Sequence, residues 1–261
     1  MIFYFTATGN SLYVAKQLEE EIFSIPQEMK KSRREYSAKQ IGIVCPTFGH
    51  EVPGIVKAFI KNSEFDTNYF FIISTYGFHH GGCAELTQEY LEGIGKKADY
   101  INSIIMVDNA LPGFDIEEQL LMDEEKEVEK HIALIKADIA KEKRYIQQAS
   151  NIDKEQHRIY LERTGKIEPS GENPLYKVDE NCVNCKTCIK VCPKGCISSE
   201  NGRISYDYTV CEGCLACIHA CPMKAIKFVE LKEKNPNKHY LNPNIKIGEI
   251  IMANYQARKE V

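Results

Sequence analysis

The chain has 261 residues, 43% of them hydrophobic and 27% charged. That composition fits a globular protein large enough for one big domain or two modest ones. Its longest apolar run, around Tyr69–Ile73, falls far short of a membrane helix, and Met1-Ile2-Phe3-Tyr4-Phe5 is too short and uncharged for a secretory signal, so a cytoplasmic location with no membrane span is expected. A net charge of −4 argues against a nucleic-acid binder.

In chain order, Ile2–Phe5 reads as a short buried strand closed by the turn-forming Thr8-Gly9-Asn10. Leu12, Ala15, Leu18 and Ile22 follow at helical spacing. Ile41–Cys45 is a second strand, ended by Pro46, and Val52–Ile60 is helical. Tyr69–Ser74 is a third strand, followed by a glycine-rich loop and an amphipathic stretch over Glu85–Ile94. Ile101–Val107 is a fourth. A long charged helix then starts at Asp115, with Glu118 in capping-box position and Leu121, Val128, Ile132, Ile135 and Ile139 as its buried stripe. Strands alternating with helices predict an α/β doubly wound parallel sheet, which binds ligands at the carboxyl ends of its strands. Gly93-Ile94-Gly95-Lys96-Lys97-Ala98 matches a dinucleotide-binding pattern but closes a helix before a strand, the reverse of the required context.

Three strand-end loops carry ligand-binding chemistry. Thr6-Ala7-Thr8-Gly9-Asn10-Ser11 leads straight into a helix. Its glycine allows close backbone approach and its helix N-terminus faces an anion. No Lys or Arg precedes Lys16, so a phosphate here is held by neutral donors. A plain strand-to-helix turn with Ser/Thr capping is the alternative. The other two loops are Pro46-Thr47-Phe48-Gly49-His50 and the segment from Thr75 to Gly82.

The eleven cysteines are unevenly spread. Only Cys45 and Cys83 precede a group of nine between Cys182 and Cys221, a pattern of metal binding in a reducing compartment. Charge divides the chain similarly: residues 1–150 carry 16 Lys+Arg against 23 Asp+Glu, net −7, and residues 151–261 carry 17 against 14, net +3. Two modules are therefore expected, joined by the polar stretch from Thr164 to Pro174 that holds Gly165, Pro169 and Gly171. Cys182-x2-Cys185-x2-Cys188-x3-Cys192-Pro193 recurs 29 residues later as Cys211-x2-Cys214-x2-Cys217-x3-Cys221-Pro222. This doubled run is the spacing of bacterial two-cluster ferredoxins, in which each fourth cysteine ligates the other cluster. Cys182, Cys185, Cys188 and Cys221 are expected on one 4Fe-4S cluster, and Cys211, Cys214, Cys217 and Cys192 on the other. A pair of zinc sites leaves the third cysteine and the exact repeat unexplained. Cys196 stands where the second repeat has Ala225, as a small buried residue. Cys45 reads as core, and Cys83, near a helix start, as packed or reactive.

The strand–Thr-x-Thr-Gly-Asn-Ser–helix at the N-terminus resembles the FMN phosphate loop of flavodoxins. The resemblance implies that Thr6, Ala7, Thr8, Gly9, Asn10 and Ser11 hold the phosphate. It also implies that Pro46, Thr47, Phe48, Gly49, Thr75, Tyr76, Gly77, Gly81 and Gly82 surround the ring, with Phe48 or Tyr76 stacking on it. The order of modules resembles the flavodoxin–ferredoxin fusion proteins of anaerobic bacteria and archaea. It implies a flavodoxin-like FMN domain (residues 1–150), a linker (151–175), a small α+β two-cluster ferredoxin domain (176–230) and a tail (231–261). A tail helix from Ile245 to Arg258 is expected to dock on one module through Ile247, Ile250 and Ile251. The implied function is electron transfer between FMN and two 4Fe-4S clusters, with a ferredoxin-type donor or an oxidoreductase acceptor as partner. A homodimer is compatible with it. Two alternatives stand beside it: a flavin-dependent reductase of a small molecule or of NAD(P)H, with His50, His79 and His80 as proton donors, and a redox sensor.

Overall fold

In the computed structural model, which describes residues 1–164 and 174–257, the first module is built on six parallel strands. They are β1 (Ile2–Tyr4), β2 (Ile22–Ser24), β3 (Gln40–Pro46), β4 (Tyr69–Tyr76), β5 (Tyr100–Ile105) and β6 (Tyr145–Ile146), in the order β2-β1-β3-β4-β5-β6. This is the flavodoxin-like order with one added edge strand, and its order reverses between β1 and β3. β3 and β4 are buried on both faces, which is why they read as continuous apolar runs and not as alternating ones. Where they pair, Gly42 leaves room for the Phe71 ring: a Cβ on Gly42 would lie 2.2 Å from it.

Helices cover both faces. α1 (Asn10–Leu18) and α6 (Val128–Ala140) pack against Ile2, Tyr4, Val44, Phe71 and Ile73. Ile25 of α2 (Ile25–Glu28), with α3 (Gly54–Lys61) and α4 (Cys83–Gly93), packs against Phe3, Phe5, Ile43 and Ile72 on the other face.

Two expectations for this module are corrected. Ile22 opens strand β2 instead of extending α1, because Glu19, Glu20 and Glu21 put negative charge at the helix's C-terminal end, where the dipole disfavours it. The long helix from Asp115 is two helices, α5 (Ile116–Leu121) and α6, separated by a 3-10 turn at Glu124–Lys126. Asp115 caps α5 as expected, accepting from Glu117 N–H at 2.8 Å. The break follows from Lys126, whose ammonium turns inward to donate to Met106 O (2.8 Å) and Gln119 Oε1 (3.0 Å), and from Glu127 at φ +45°. Leu121 is consequently 82% exposed and outside the core, whereas Val128, Ile132, Ile135 and Ile139 are buried.

Of the segment between modules, residues 151–164 form a helix, α7 (Asn151–Thr164), and Gly165, Pro169 and Gly171 lie outside the described residues. The second module has two antiparallel pairs. β7 (Tyr176–Val178) pairs with β10 (Ile226–Phe228), and β8 (Ile197–Glu200) with β9 (Arg203–Tyr206). Short helices α8 (Thr187–Lys190) and α9 (Ala216–His219) each contain the third cysteine of their repeat, Cys188 and Cys217. The tail then returns to the first module, where α10 (Ile247–Asn254) buries Ile250 and Ala253. The helix is shorter than expected: it starts at Ile247 and not Ile245, and it ends at Asn254, where Tyr255 leaves the helical conformation. It thus stops before Arg258, which lies outside the described residues, and of the expected docking residues Ile247 is exposed. Among the described residues no helix is long and apolar enough to cross a membrane.

Candidate functional site

At the carboxyl ends of β1, β3, β4 and β5 lies a cavity of about 420 Å³, within the usual range for a small-molecule or cofactor site. Its floor is the loop before α1. Gly9, at φ +106°, makes the turn, and its N–H donates to Thr6 Oγ1 at 3.1 Å. The first intrahelical bond runs from Tyr13 N–H to Gly9 O (2.8 Å), so the amides before it lie at the positive end of the helix. Thr8 Oγ1 accepts from Asn109 Nδ2 (2.7 Å) and keeps its own proton to donate. Among the described residues no Lys or Arg lines the cavity, and Asp108 is the one carboxylate that does. Neutral donors at a helix N-terminus fit a phosphate monoester.

Above this floor stand Phe48, Tyr76, Phe78 and Phe114, with Thr47 and Gly77. Phe48 and Glu51 exchange backbone hydrogen bonds (2.9 and 3.1 Å) across Gly49 and His50, both at positive φ. That is a type I′ turn with a non-glycine residue in its second central position, a cost borne at the edge of the cavity. Gly77 faces Asp108 so closely that a Cβ would sit 2.2 Å from it. Of the residues expected around the cofactor, Gly9, Gly81 and Gly82 do not line the cavity. Gly9 is covered by Asn242 and Ile245, Gly81 makes room for the His50 ring, and Gly82 is the N-cap of α4.

The structure adds contributors without a sequence signature. The loop after β5 brings Val107, Asp108, Asn109 and Ala110 to the cavity. Burial pushes the Asp108 carboxyl up, against hydrogen bonding from the Ala110 amide and attraction from Lys126. From α7, Tyr160 lies against Gly49, and the His157 and His50 rings meet with their Nδ1 atoms 3.4 Å apart. Burial, with the neighbouring His157, pushes His50 down to about 4, so it is neutral at pH 7. His80 accepts from Gly82 N–H through Nδ1 and faces Asp153 at 3.4 Å through Nε2. Cys45 and Cys83 are fully buried and burial pushes both thiols up, which makes them packing residues.

In the second module, Cys182, Cys185, Cys188 and Cys221 line one cavity, and Cys192, Cys211, Cys214 and Cys217 line another. Each set joins three cysteines of one run to the fourth of the other. The duplication extends to the backbone: left-handed residues recur at the 29-residue interval, Asn184 with Gly213, Lys186 with Leu215, and Gly195 with Lys224. Lys186, Leu215 and Lys224 are non-glycine residues held in this costly conformation, which marks both loops as shaped for a site. Gly213 N–H points at Cys211 Sγ (3.5 Å) and Ala225 N–H at Cys221 Sγ (3.3 Å). Four repeat cysteines gathered on each hollow, with an amide aimed at a sulfur of each, are a donor set that fits an iron–sulfur cubane.

The two sites share a wall. Cys214 and Leu215 line both the cavity of the sheet module and the second cysteine cavity. Three sets of contacts fix this juxtaposition. Glu212 Oε1 accepts from Ile55 N–H (3.0 Å) at the start of α3. His219 donates from Nε2 to Asn109 O (2.9 Å), while its Nδ1 accepts from Tyr240 N–H (3.1 Å). Burial pushes His219 down to about 4, and the neutral ring is the form these bonds require. The tail braces the phosphate loop: Tyr240 OH and Asn242 Nδ2 donate to Asn10 Oδ1 (2.7 and 3.0 Å), Asn242 N–H to Thr8 O (2.8 Å), and Asn254 Nδ2 to Thr6 O (2.8 Å). Asn10's side-chain oxygen is thus used inside the protein, and its amide donates to Val107 O.

A family model described as a 4Fe-4S dicluster domain matches residues 174–222. An uncharacterized ferredoxin of Methanocaldococcus jannaschii is 41% identical over 66 residues, 23% of this chain and 86% of its own. The PorD subunit of pyruvate synthase from the same organism is 47% identical over 49 residues, 18% of this chain, and the chain spans only 57% of its length. A crystal structure from Bacteroides uniformis, provisionally described as a flavoprotein, covers 46% of this chain and 93% of its own at 17% identity, with a TM-score of 0.32.

Proposed function

Starting from the membership of this chain in the 4Fe-4S dicluster ferredoxin family, we propose that it is an electron-transfer protein holding FMN in its sheet module and two 4Fe-4S clusters in its cysteine module. The observation that carries this reading is the shared wall: Cys214 borders both the FMN-type cavity and the cavity of the second cysteine set. FMN exchanges electrons singly or in pairs and a 4Fe-4S cluster one at a time, so the three groups together would link two-electron and one-electron donors.

The protein's part is positioning. Thr8 and the first amides of α1 would hold the phosphate, and Phe48 and Tyr76 would flank the ring. Asp108 would lie beside it, with its carboxyl already disposed by burial to take a proton. Glu212, His219 and the tail keep the two sites in register. The neutral, strained His50 and the adjacent His79 at the cavity edge favour a second reading, reduction of a small molecule at the flavin.

Anaerobic purification followed by flavin, iron and sulfide analysis tests the cofactor assignment. Reduction with a low-potential ferredoxin, NADH and NADPH in separate trials then tests the role. Rapid reduction by ferredoxin alone is expected; steady NAD(P)H turnover with a small acceptor would install the second reading instead.

A further inference from the structure

The two cysteine cavities differ in what surrounds the ligands. Cys196, 4% exposed, is not one of the eight repeating cysteines, yet its Sγ lies 3.4 Å from Cys192 Sγ and it also faces Cys211. The matching position of the other repeat is Ala225, which has no polar atom to offer. Tyr206 lines the same cavity as Cys196, stacked on Tyr208 with ring centroids 5.3 Å apart. Its buried hydroxyl faces the Cys217 thiol and has no other hydrogen-bond partner among the described residues. A buried hydroxyl left without an acceptor is costly, and a sulfur shell on that side supplies one. In the other repeat the strand register puts Val178 in its place, paired with Ile226 as Tyr206 is with Ile197, and Val178 lines the sister cavity with no polar side-chain atom. One cavity thus has two buried donors that its sister lacks.

Resting on the reading that Cys192, Cys211, Cys214 and Cys217 hold a 4Fe-4S cluster, we infer that the Cys196 thiol and the Tyr206 hydroxyl donate hydrogen bonds to its sulfur shell and raise its reduction potential. The sign follows from charge. Reduction adds negative charge to the sulfurs, and donors aimed at them stabilise the more negative state. The raised potential belongs to the cluster that shares a wall with the FMN-type cavity, which makes that cluster the better acceptor than it would be without the two donors.

Anaerobic redox titration of the full-length, cluster-loaded protein, followed by electron paramagnetic resonance, tests this. Cys196→Ala installs the residue of the sister repeat, and Tyr206→Phe removes only the hydroxyl. Each is expected to make one cluster about tenfold harder to reduce, about 59 mV lower for a one-electron couple, and to leave the other unmoved. Cys196→Ser, which keeps a donor, should recover most of the shift. Unmoved potentials in both single variants, or equal shifts of both clusters, would overturn the inference. Iron and sulfide analysis separates it from the reading beneath: wild-type protein without two clusters removes that reading and the inference together. Loss of about half the iron in Cys196→Ala alone would make Cys196 a ligand, overturning the inference while leaving two clusters in the wild type.

Discussion

Each cavity of the cysteine module is made by residues between Tyr176 and Ile226, its cysteines carried on two copies of one loop. The cavity of the sheet module draws Thr8, Phe48, Tyr76, Asp108, Tyr160 and Cys214 from most of the chain's length. The first kind of site is fixed by spacing along the backbone; the second exists only once the sheet order, α7 and the tail have brought distant loops together. Damage to the one should therefore stay local, and damage to the supports of the other should appear as weakened binding far from the change.

The largest effect that would sharpen this contrast is expected from Cys214→Ala, which sits on the shared wall. It should remove about half the iron and abolish electron exchange between the modules while FMN binding stays within about tenfold of wild type, as read by metal analysis and flavin titration. Loss of both cofactors would break the picture of separable sites.

A second effect lies in pH. His219 has an ordinary value near 6.5 in the unfolded chain and is held down to about 4 in the folded one. Below 6.5 the unfolded chain binds a proton that the folded chain refuses. Stability is thus fully present above that pH and falls as pH drops toward about 4, by up to about 3 kcal/mol. His50, held down in the same way, adds to the slope. His219→Gln can keep both hydrogen bonds and should flatten the dependence measured by urea unfolding between pH 7 and 5; an unchanged slope would remove His219 as its source.

Smaller again is the tail's contribution to the phosphate loop. The double variant Tyr240→Phe/Asn242→Ala leaves Asn10 Oδ1 without its two donors, and FMN affinity should drop about tenfold with iron content unchanged. Affinity within twofold of wild type would contradict the bracing role. The smallest effect is expected at Leu121: Leu121→Ser should change stability by less than about 0.5 kcal/mol, against about 2–5 kcal/mol for Ile132→Ala in the core. A large loss at Leu121 would restore it to the buried stripe.

The same contrast explains what could be read in advance. The cysteine sets follow from a repeat whose spacing is itself the structural constraint, and the phosphate loop from residue types beside a helix start. Asp108 and Asn109 have no motif, although the rule that ligands gather at strand ends applies to β5 as to β1, β3 and β4, and would have found them. α7 lies in the stretch expected to be a linker, and it carries no apolar periodicity because it is largely polar. It is supported by ion pairs such as Arg158 with Glu155 and Glu162 rather than by an apolar stripe. The bracing tail was legible only as a docked helix, since its polar contacts with Asn10 and Thr8 arise from tertiary placement alone.

Flash photoreduction of the fully loaded protein, with the flavin and cluster absorbance bands followed in time, tests the central claim that both kinds of site adjoin within one chain. The account predicts electron equilibration between them at a rate independent of protein concentration. A rate that rises in proportion to concentration, as for exchange between separate molecules, would contradict it.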